Sequence, residues 1–132
     1  MKKWILIAAT LLMLILLTLK LYDQDDQSLG DNYYYLPKYE AEDIGFPNGA
    51  VIYKANEKYK FNDIKIGNEV ISVTSNAYHI LAIQKNEDTH NDSTFNYYLI
   101  VKKTDSTYGP FMFKEYMRMR KELGVENDLI LK

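Results

Sequence analysis

An apolar run near the N-terminus constrains this chain more than any other feature. Lys2 and Lys3 precede the run, which covers residues 4–19 and is interrupted by two threonines. A helix crosses a hydrocarbon core of about 30 Å with roughly 17 to 25 residues. The run therefore fits either the core of a signal peptide or a short membrane span that is extended to residue 22.

The residues that follow the run bear on whether it is cleaved. Signal peptidase requires small residues at its site, and residues 19–23 read Leu-Lys-Leu-Tyr-Asp, without an Ala-x-Ala-like triplet. We therefore expect residues 1–22 to be an uncleaved signal anchor, with a cleaved signal peptide as the alternative, followed by a linker over residues 23–31. Lysines before the run and aspartates after it predict a cytoplasmic N-terminus. The chain should be a single-pass protein of the cytoplasmic membrane, with its domain on the non-cytoplasmic side, periplasmic or extracellular.

Charge and cysteine content argue against several classes of function. Sixteen basic and eighteen acidic residues give a net charge of -2, so no strong field attracts nucleic acid. The chain has no cysteine, which rules out disulfides, thiol nucleophiles and the lipidated cysteine of a bacterial lipoprotein. The sequence contains no Gly-x-Ser-x-Gly motif, phosphate loop, His-Glu-x-x-His motif or dinucleotide fingerprint. We expect no cofactor and no metal site, and we favour a binding protein over an enzyme.

Hydrophobic periodicity predicts a single α+β domain over residues 32–132. We expect a mostly antiparallel β-sheet meander with one C-terminal helix packed on it, behind the N-terminal transmembrane or signal segment. The predicted strands cover residues 32–37, 50–54, 59–61, 64–66, 69–75, 78–84 and 95–102. In the fifth of these strands, Ile71 and Val73 should share one face.

Two of the predicted strands should lie at the centre of the sheet. Residues 78–84 and 95–102 are apolar on both faces, which is typical of strands that are covered on both sides. Leu81 and Leu99 should therefore be core residues. The connection over residues 85–94 has no apolar side chain, and we expect it to project into solvent.

The predicted helix covers residues 111–123. Gly109 and Pro110 precede it and suit a helix start, and Gly124 suits its C-terminal cap. The stripe that recurs at helical spacing consists of Phe113, Met117, Arg120 and Leu123. Basic residues in the last turn complement the helix dipole, an interpretation that we prefer to a site for an anionic partner.

Tyrosine is the compositional oddity, with twelve residues in this chain. Tyr33, Tyr34 and Tyr35 are adjacent on one predicted strand, and Tyr97 and Tyr98 are adjacent on another. Alternation sends neighbouring rings to opposite faces, so some of these rings should lie outside the deepest core. Because tyrosine commonly anchors interfaces, these five are our candidate binding residues. Ordinary half-buried packing of the sheet is the simpler interpretation.

Acidic residues and histidines supply the alternative, a small envelope hydrolase. Glu40, Glu42 and Asp43 could act with His79 in acid-base chemistry, although solvated carboxylates and a histidine at the margin of the core are the simpler interpretation. His90 lies among carboxylates in the polar connection, a set that could approach a divalent cation. The spacing lacks the glycine and the terminal glutamate of an EF-hand loop, so a solvated loop is the simpler interpretation.

Three segments carry a resemblance. Residues 32–37 read Asn-Tyr-Tyr-Tyr-Leu-Pro, residues 43–54 read Asp-Ile-Gly-Phe-Pro-Asn-Gly-Ala-Val-Ile-Tyr-Lys, and residues 120–125 read Arg-Lys-Glu-Leu-Gly-Val. Together they resemble a group of short, uncharacterised exported bacterial proteins, whose members are often lipoproteins. The resemblance covers most of the chain after residue 29 and implies a location in the bacterial envelope. It carries over no functional residues, and this chain departs from the lipoprotein pattern because it lacks cysteine.

These observations favour a membrane-tethered binding or interaction module of the bacterial envelope, of which an inhibitor or immunity-type protein is one form. Its partner would be another protein or an envelope ligand whose identity the sequence does not indicate.

Overall fold

The computed structural model describes residues 1–22, 27–86 and 94–131. Three helices and eight strands lie within these ranges. The helices are α1 (Lys2–Tyr22), α2 (Lys38–Asp43) and α3 (Phe113–Glu122). The strands are β1 (Gln27–Gly30), β2 (Tyr33–Leu36), β3 (Val51–Lys54), β4 (Ile64–Ile66), β5 (Val70–Ser75), β6 (His79–Lys85), β7 (Phe95–Val101) and β8 (Ser106–Phe111).

The strands form two antiparallel four-stranded sheets. Sheet A has the order β1-β2-β3-β4 and sheet B has the order β5-β6-β7-β8. The α+β class and the C-terminal helix are confirmed, whereas the single meander is wrong because the chain makes two meanders in succession. The chain leaves sheet A at Glu69, whose φ is 48°. The N–H of Glu69 donates to the carbonyl of Asn48 at 2.7 Å, and the N–H of Val70 donates to that of Ala50 at 3.2 Å, so β5 begins beside the residues that lead into β3.

The two sheets pack face to face around an inner core. Sheet A and the residue before β3 contribute Leu29, Tyr33, Ala50, Ile52 and Ile66, and sheet B contributes Val70, Ile80, Ala82 and Ile100. Alternation along β6 and β7 sends Leu81 and Leu99 to the other face of sheet B, where both are fully buried. The prediction that these two strands are central and covered on both faces is confirmed.

A helix covers the outer face of each sheet. On sheet A the buried residues are Leu36, Val51 and Tyr53, with Ala41 of α2. On sheet B they are Leu81 and Leu99, with Tyr116 of α3 and with Val125 and Leu129 of the C-terminal segment. The described domain therefore has four layers in the order α2, sheet A, sheet B, α3.

Helix α3 differs from its prediction in its start and in its orientation. It begins at Phe113 because Gly109 and Pro110 belong to β8. Tyr116 faces sheet B and is buried, whereas Phe113 and Met117 of the predicted stripe are 57% and 41% exposed. The predicted stripe is therefore wrong for its first two residues, which leaves an apolar surface beside the helix.

The predicted cap of α3 is confirmed. Gly124 has φ 68°, a conformation that glycine adopts without a steric penalty. The N–H of Val125 then donates to the carbonyl of Arg120 at 2.9 Å, the wide bond of a Schellman-type ending.

Three local expectations in sheet A are wrong or incomplete. Residues 27–30, assigned to the linker, form β1, and Leu29 enters the inner core. Residues 59–61 form no strand, and Tyr59 has φ 67°. Helix α2 was not expected, because Ala41 is its single buried residue and no amphipathic pattern marks it.

A β-bulge changes the faces of β5. The register with β6 shifts between Val70 and Ser72, so Val70 and Val73 both pack on the inner core. Ile71 is exposed, and the expectation that it shares a face with Val73 is wrong.

Helix α1 carries the apolar run. The side chains of residues 1–18 are exposed. Within the three described ranges, no helix has the length and hydropathy required to cross a membrane. Residues 23–26 of the predicted linker and residues 87–93 of the polar connection, with His90, lie outside the described ranges.

Candidate functional site

The five candidate tyrosines pack in three separate regions of the domain. Tyr33, Tyr35 and Tyr98 pack on the inner core between the sheets. Tyr34 packs on the outer face of sheet A, and Tyr97 packs on the outer face of sheet B. The structure therefore does not bring the five rings together into one surface.

Two of the three inner-core tyrosines, Tyr33 and Tyr98, have hydrogen-bond partners within the domain. Tyr33 is fully buried, and its hydroxyl donates to the carboxylate of Asp105. Burial and this hydrogen bond raise the pKa of Tyr33. The hydroxyl of Tyr98 donates to Oε1 of Gln84 at 3.0 Å. These contacts account for Tyr33 and Tyr98 as parts of the core.

Tyr34 belongs to an aromatic layer between sheet A and α2. Its ring stacks on that of Tyr53, with centroids 5.3 Å apart, and Phe61 meets Tyr53 edge-on at 4.8 Å. Tyr34 is half-buried. This layer covers the sheet, and Tyr34 lines neither of the two concavities described below.

The carboxylates and the histidine of the hydrolase hypothesis are far apart in the fold. Glu40 lies on α2, outside sheet A, and its Oε1 accepts a hydrogen bond of 2.5 Å from the hydroxyl of Tyr59. His79 has the same parity as Leu81 along β6, which places it on the outer face of sheet B. Both sheets therefore separate the two groups. Within the described ranges, no cluster of three acidic or histidine side chains is arranged to hold a metal ion.

The other members of that hypothesis have simpler surroundings. Glu42 and Asp43 are exposed, and Glu42 pairs with Lys38 at 3.9 Å within α2. His79 is buried, and its Nδ1 makes no hydrogen bond within the described part of the chain. His79 thus lies near the margin of the core, as expected, with its Nδ1 left without a hydrogen bond among the described residues.

An open groove of about 450 Å³ lies between sheet B, α3 and the C-terminal segment. We call it the aromatic groove. Its lining consists of Ile83, Tyr97, Phe113, Tyr116, Met117, Arg120, Asn127, Ile130 and Leu131. A volume in this range is typical of sites for small molecules or single side chains of a partner.

Three rings form the floor and one wall of the aromatic groove. Tyr97 of β7 stacks on Tyr116 of α3, with centroids 5.0 Å apart and an interplanar angle of 25°. Phe113 meets Tyr97 edge-on at 5.4 Å. These geometries are favourable for aromatic pairs. The three rings therefore pack on one another and give the groove an apolar surface.

Arg120 is the charged group of the aromatic groove. Its guanidinium donates to the backbone carbonyls of Leu129 at 2.7 Å and Glu126 at 2.9 Å, and to the hydroxyl of Tyr116 at 3.3 Å. Burial raises the pKa of Tyr116, and the Arg120 guanidinium opposes this effect. The C-terminal segment is thus held against α3 by an arginine that also faces the groove.

A second concavity of about 460 Å³ is polar. It is lined mainly by Lys54, Asn56, Lys60, Asn62, Asp63 and Asp105. Lys65, beside this concavity, contacts Asp63 at 2.9 Å and Asp105 at 3.1 Å, and Lys54 lies 3.4 Å from Asp105. These contacts join the two sheets, because Asp105 belongs to sheet B and the lysines belong to sheet A. Since the charges neutralise one another, the concavity offers little to a charged ligand.

Sequence reasoning identified Tyr97 but not the groove around it. The groove combines residues of β6, β7, α3 and the C-terminal segment, which are far apart in the chain. The available signal was the group of apolar residues at 129–131 together with Phe113 and Met117. These are more apolar residues than one face of the helix would bury.

Comparison with family models matches residues 31–132 to DUF3997, described as a protein of unknown function. No curated protein and no solved structure matches the chain. The matched range contains seven of the eight described strands, β2 to β8, together with α2 and α3, and so includes the aromatic groove. This chain belongs to the DUF3997 family of proteins of unknown function.

Proposed function

We propose that this chain is a membrane-tethered envelope binding module, and that it contacts its partner through the aromatic groove. The observation that carries the proposal is the open apolar surface beside α3. Phe113, Met117 and Ile130 are 57%, 41% and 61% exposed and line the groove around the half-buried ring of Tyr97. Contiguous apolar surface with a polar margin is characteristic of interaction sites.

The chemistry of the groove suits recognition. Aromatic rings that are already packed lose little conformational freedom on binding, and methionine adapts its shape to different apolar partners. The half-buried Tyr97, stacked on the buried ring of Tyr116, presents a rigid ring with a polar hydroxyl, a combination that is enriched at binding hot spots. Catalysis is not favoured, because the separation of Glu40 from His79 leaves that pair without a common site.

Helix α1 is the proposed tether. Its described side chains contribute to none of the three apolar clusters of the domain. A helix that is apolar on all sides requires an apolar environment, and Lys2 and Lys3 are the flank expected on the cytoplasmic side. The domain would then act on the opposite side of the membrane, where it binds another protein or an envelope ligand; an inhibitor or immunity-type protein is one form of such a module.

The test is site-specific photo-crosslinking of the full chain in its host. A benzophenone amino acid replaces Ile130 in the groove or, as the matched control, Ile44 beyond the end of α2, which is 47% exposed on the far side of the domain. We expect a discrete adduct from position 130 and none from position 44. Equal labelling at both positions, or no adduct at position 130, would refute the groove as the contact surface.

A further inference from the structure

We infer that the aromatic groove binds a single-chain amphiphile, with its apolar chain along the rings and its anionic head group at Arg120. This inference rests on the proposed function and names the class of ligand for the same site. Two properties of the groove lead to it: the scarcity of polar groups along its lining, and a guanidinium at one end that has no ion-pair partner among the described residues.

The lining discriminates between an acyl chain and a peptide. Arg120 and Asn127 are the only polar side chains, apart from the tyrosine hydroxyls, among the described residues that line the groove. A peptide in an extended conformation brings an N–H and a carbonyl at every residue, and each loses free energy when it is buried without a partner. A hydrocarbon chain has no such groups. The groove therefore favours a ligand whose polar atoms are confined to one end.

The position of Arg120 defines that end. Three of the five N–H groups of its guanidinium are used, and all three bind neutral oxygens. Within the described ranges, no carboxylate lies within ion-pair distance of Arg120. Its neighbour Arg118 differs, since it contacts Glu122 at 3.1 Å and Glu115 at 3.5 Å.

The remaining donors of Arg120 can receive an anion. Arg120 is half-buried as a residue, and the central carbon of its guanidinium lies 5.8 Å from the centre of the Tyr116 ring. A positive charge in apolar surroundings attracts an anionic oxygen more strongly than the same charge in water does. Carboxylate and phosphate head groups share this chemistry, so a fatty acid and a single-chain phosphate ester both fit the groove.

Methyl NMR tests this inference on the full chain in phosphatidylcholine nanodiscs. The five methionines carry ¹³C-methyl groups, and Met117 reports on the groove whereas Met112 lies outside its lining. The probes are decanoate, decyl phosphate, 1-decanol and decyltrimethylammonium, each referred to its free concentration measured by dialysis. We expect saturable shifts of the Met117 signal, and binding of the two anions at least about tenfold tighter than that of the alcohol.

Variants separate the head-group contact from the groove itself. Arg120→Gln should bring the affinity for decanoate down to that for decanol, while decanol still shifts Met117. Because Arg120 also holds the C-terminal segment, a second variant is needed. Ile130→Asp, which keeps the Met117 reporter, should weaken decanoate binding by at least about tenfold through charge repulsion in the groove, whereas Met112→Asp, at the exposed position before α3, should leave that binding unchanged.

The outcomes are distinct. Equal affinity for decanoate, decanol and the cationic amphiphile would overturn the role of Arg120, and no shift at Met117 with any amphiphile would overturn the ligand class. If position 130 still gives a protein adduct in those cases, the proposed function stands with a protein partner. If it gives none, the proposed function fails as well.

Discussion

The hydroxyl of Tyr33, in sheet A, donates a hydrogen bond to the carboxylate of Asp105, in the turn between β7 and β8 of sheet B. Lys65 and Lys54 of sheet A contact the same carboxylate at 3.1 and 3.4 Å. One acidic residue of sheet B is therefore held by three side chains of sheet A. We call this contact the Asp105 clasp; it joins the two sheets at the end of the inner core.

Loss of the Tyr33 hydroxyl should destabilise the fold. Tyr33→Phe keeps the buried ring but removes the donor to Asp105, and we expect a loss of roughly 1 to 2 kcal/mol in the free energy of unfolding because the acceptor is charged but partly exposed. Urea unfolding of the full chain measures this loss. Tyr78→Phe, at an exposed ring, is the control and should change little. Equal effects of the two substitutions would show that the Tyr33 hydroxyl contributes nothing to the clasp.

Acid should weaken the Asp105 clasp. The hydrogen bond from Tyr33 and the contacts with Lys65 and Lys54 lower the pKa of Asp105 below its usual value of 3.8. As the pH falls to about 3.8 and below, the folded state therefore binds fewer protons than the unfolded state. The ionised Asp105 carboxylate contributes its full stabilisation above that pH, and this stabilisation is lost as the pH falls further. The stability difference between the natural chain and Asp105→Asn should shrink when urea unfolding is repeated at decreasing pH through this range. A constant difference would contradict the assignment.

Truncation of the central strands should be costly. Leu81→Ala and Leu99→Ala each remove a fully buried side chain from between sheet B and α3, and we expect a loss of roughly 2 to 5 kcal/mol for each from burial and the cavity left behind. Ile71→Ala at the exposed bulge is the control, with a change within about 0.5 kcal/mol. Losses below about 1 kcal/mol at both leucines would contradict their central placement.

The membrane proposal predicts an orientation. In a bacterial host, a reporter joined after Lys132 should be active only when it requires the outer side of the cytoplasmic membrane, and the chain should sediment with membranes. Replacing Lys2 and Lys3 with glutamate should reduce that activity, because the positive-inside bias is lost. Activity of a cytoplasm-only reporter on the unaltered chain would end the proposal.

Local alternation carried much of the correct prediction. The period of two along β2 sends Tyr33 and Tyr35 to one face and Tyr34 to the other, as the structure shows. The apolar pattern on both faces of residues 78–84 and 95–102 indicated their central position, because a strand that is covered on both sides packs apolar side chains on each face. Gly124 likewise marked the end of α3, since glycine adopts a positive φ without a steric penalty and this tolerance belongs to the residue type.

The sequence by itself determined the alternating faces of β2, the central strands β6 and β7 and the C-terminal cap of α3, because these depend on residues that are neighbours in the chain. Only the tertiary structure decided that the strands divide into two sheets at Glu69, since that division depends on the hydrogen bonds to Asn48 and Ala50. The same holds for the rotation of α3, which exposes Phe113 and buries Tyr116 against Tyr97. The aromatic groove and the Asp105 clasp join side chains from elements distant in sequence, and pairings of that kind leave no periodic trace in a single chain.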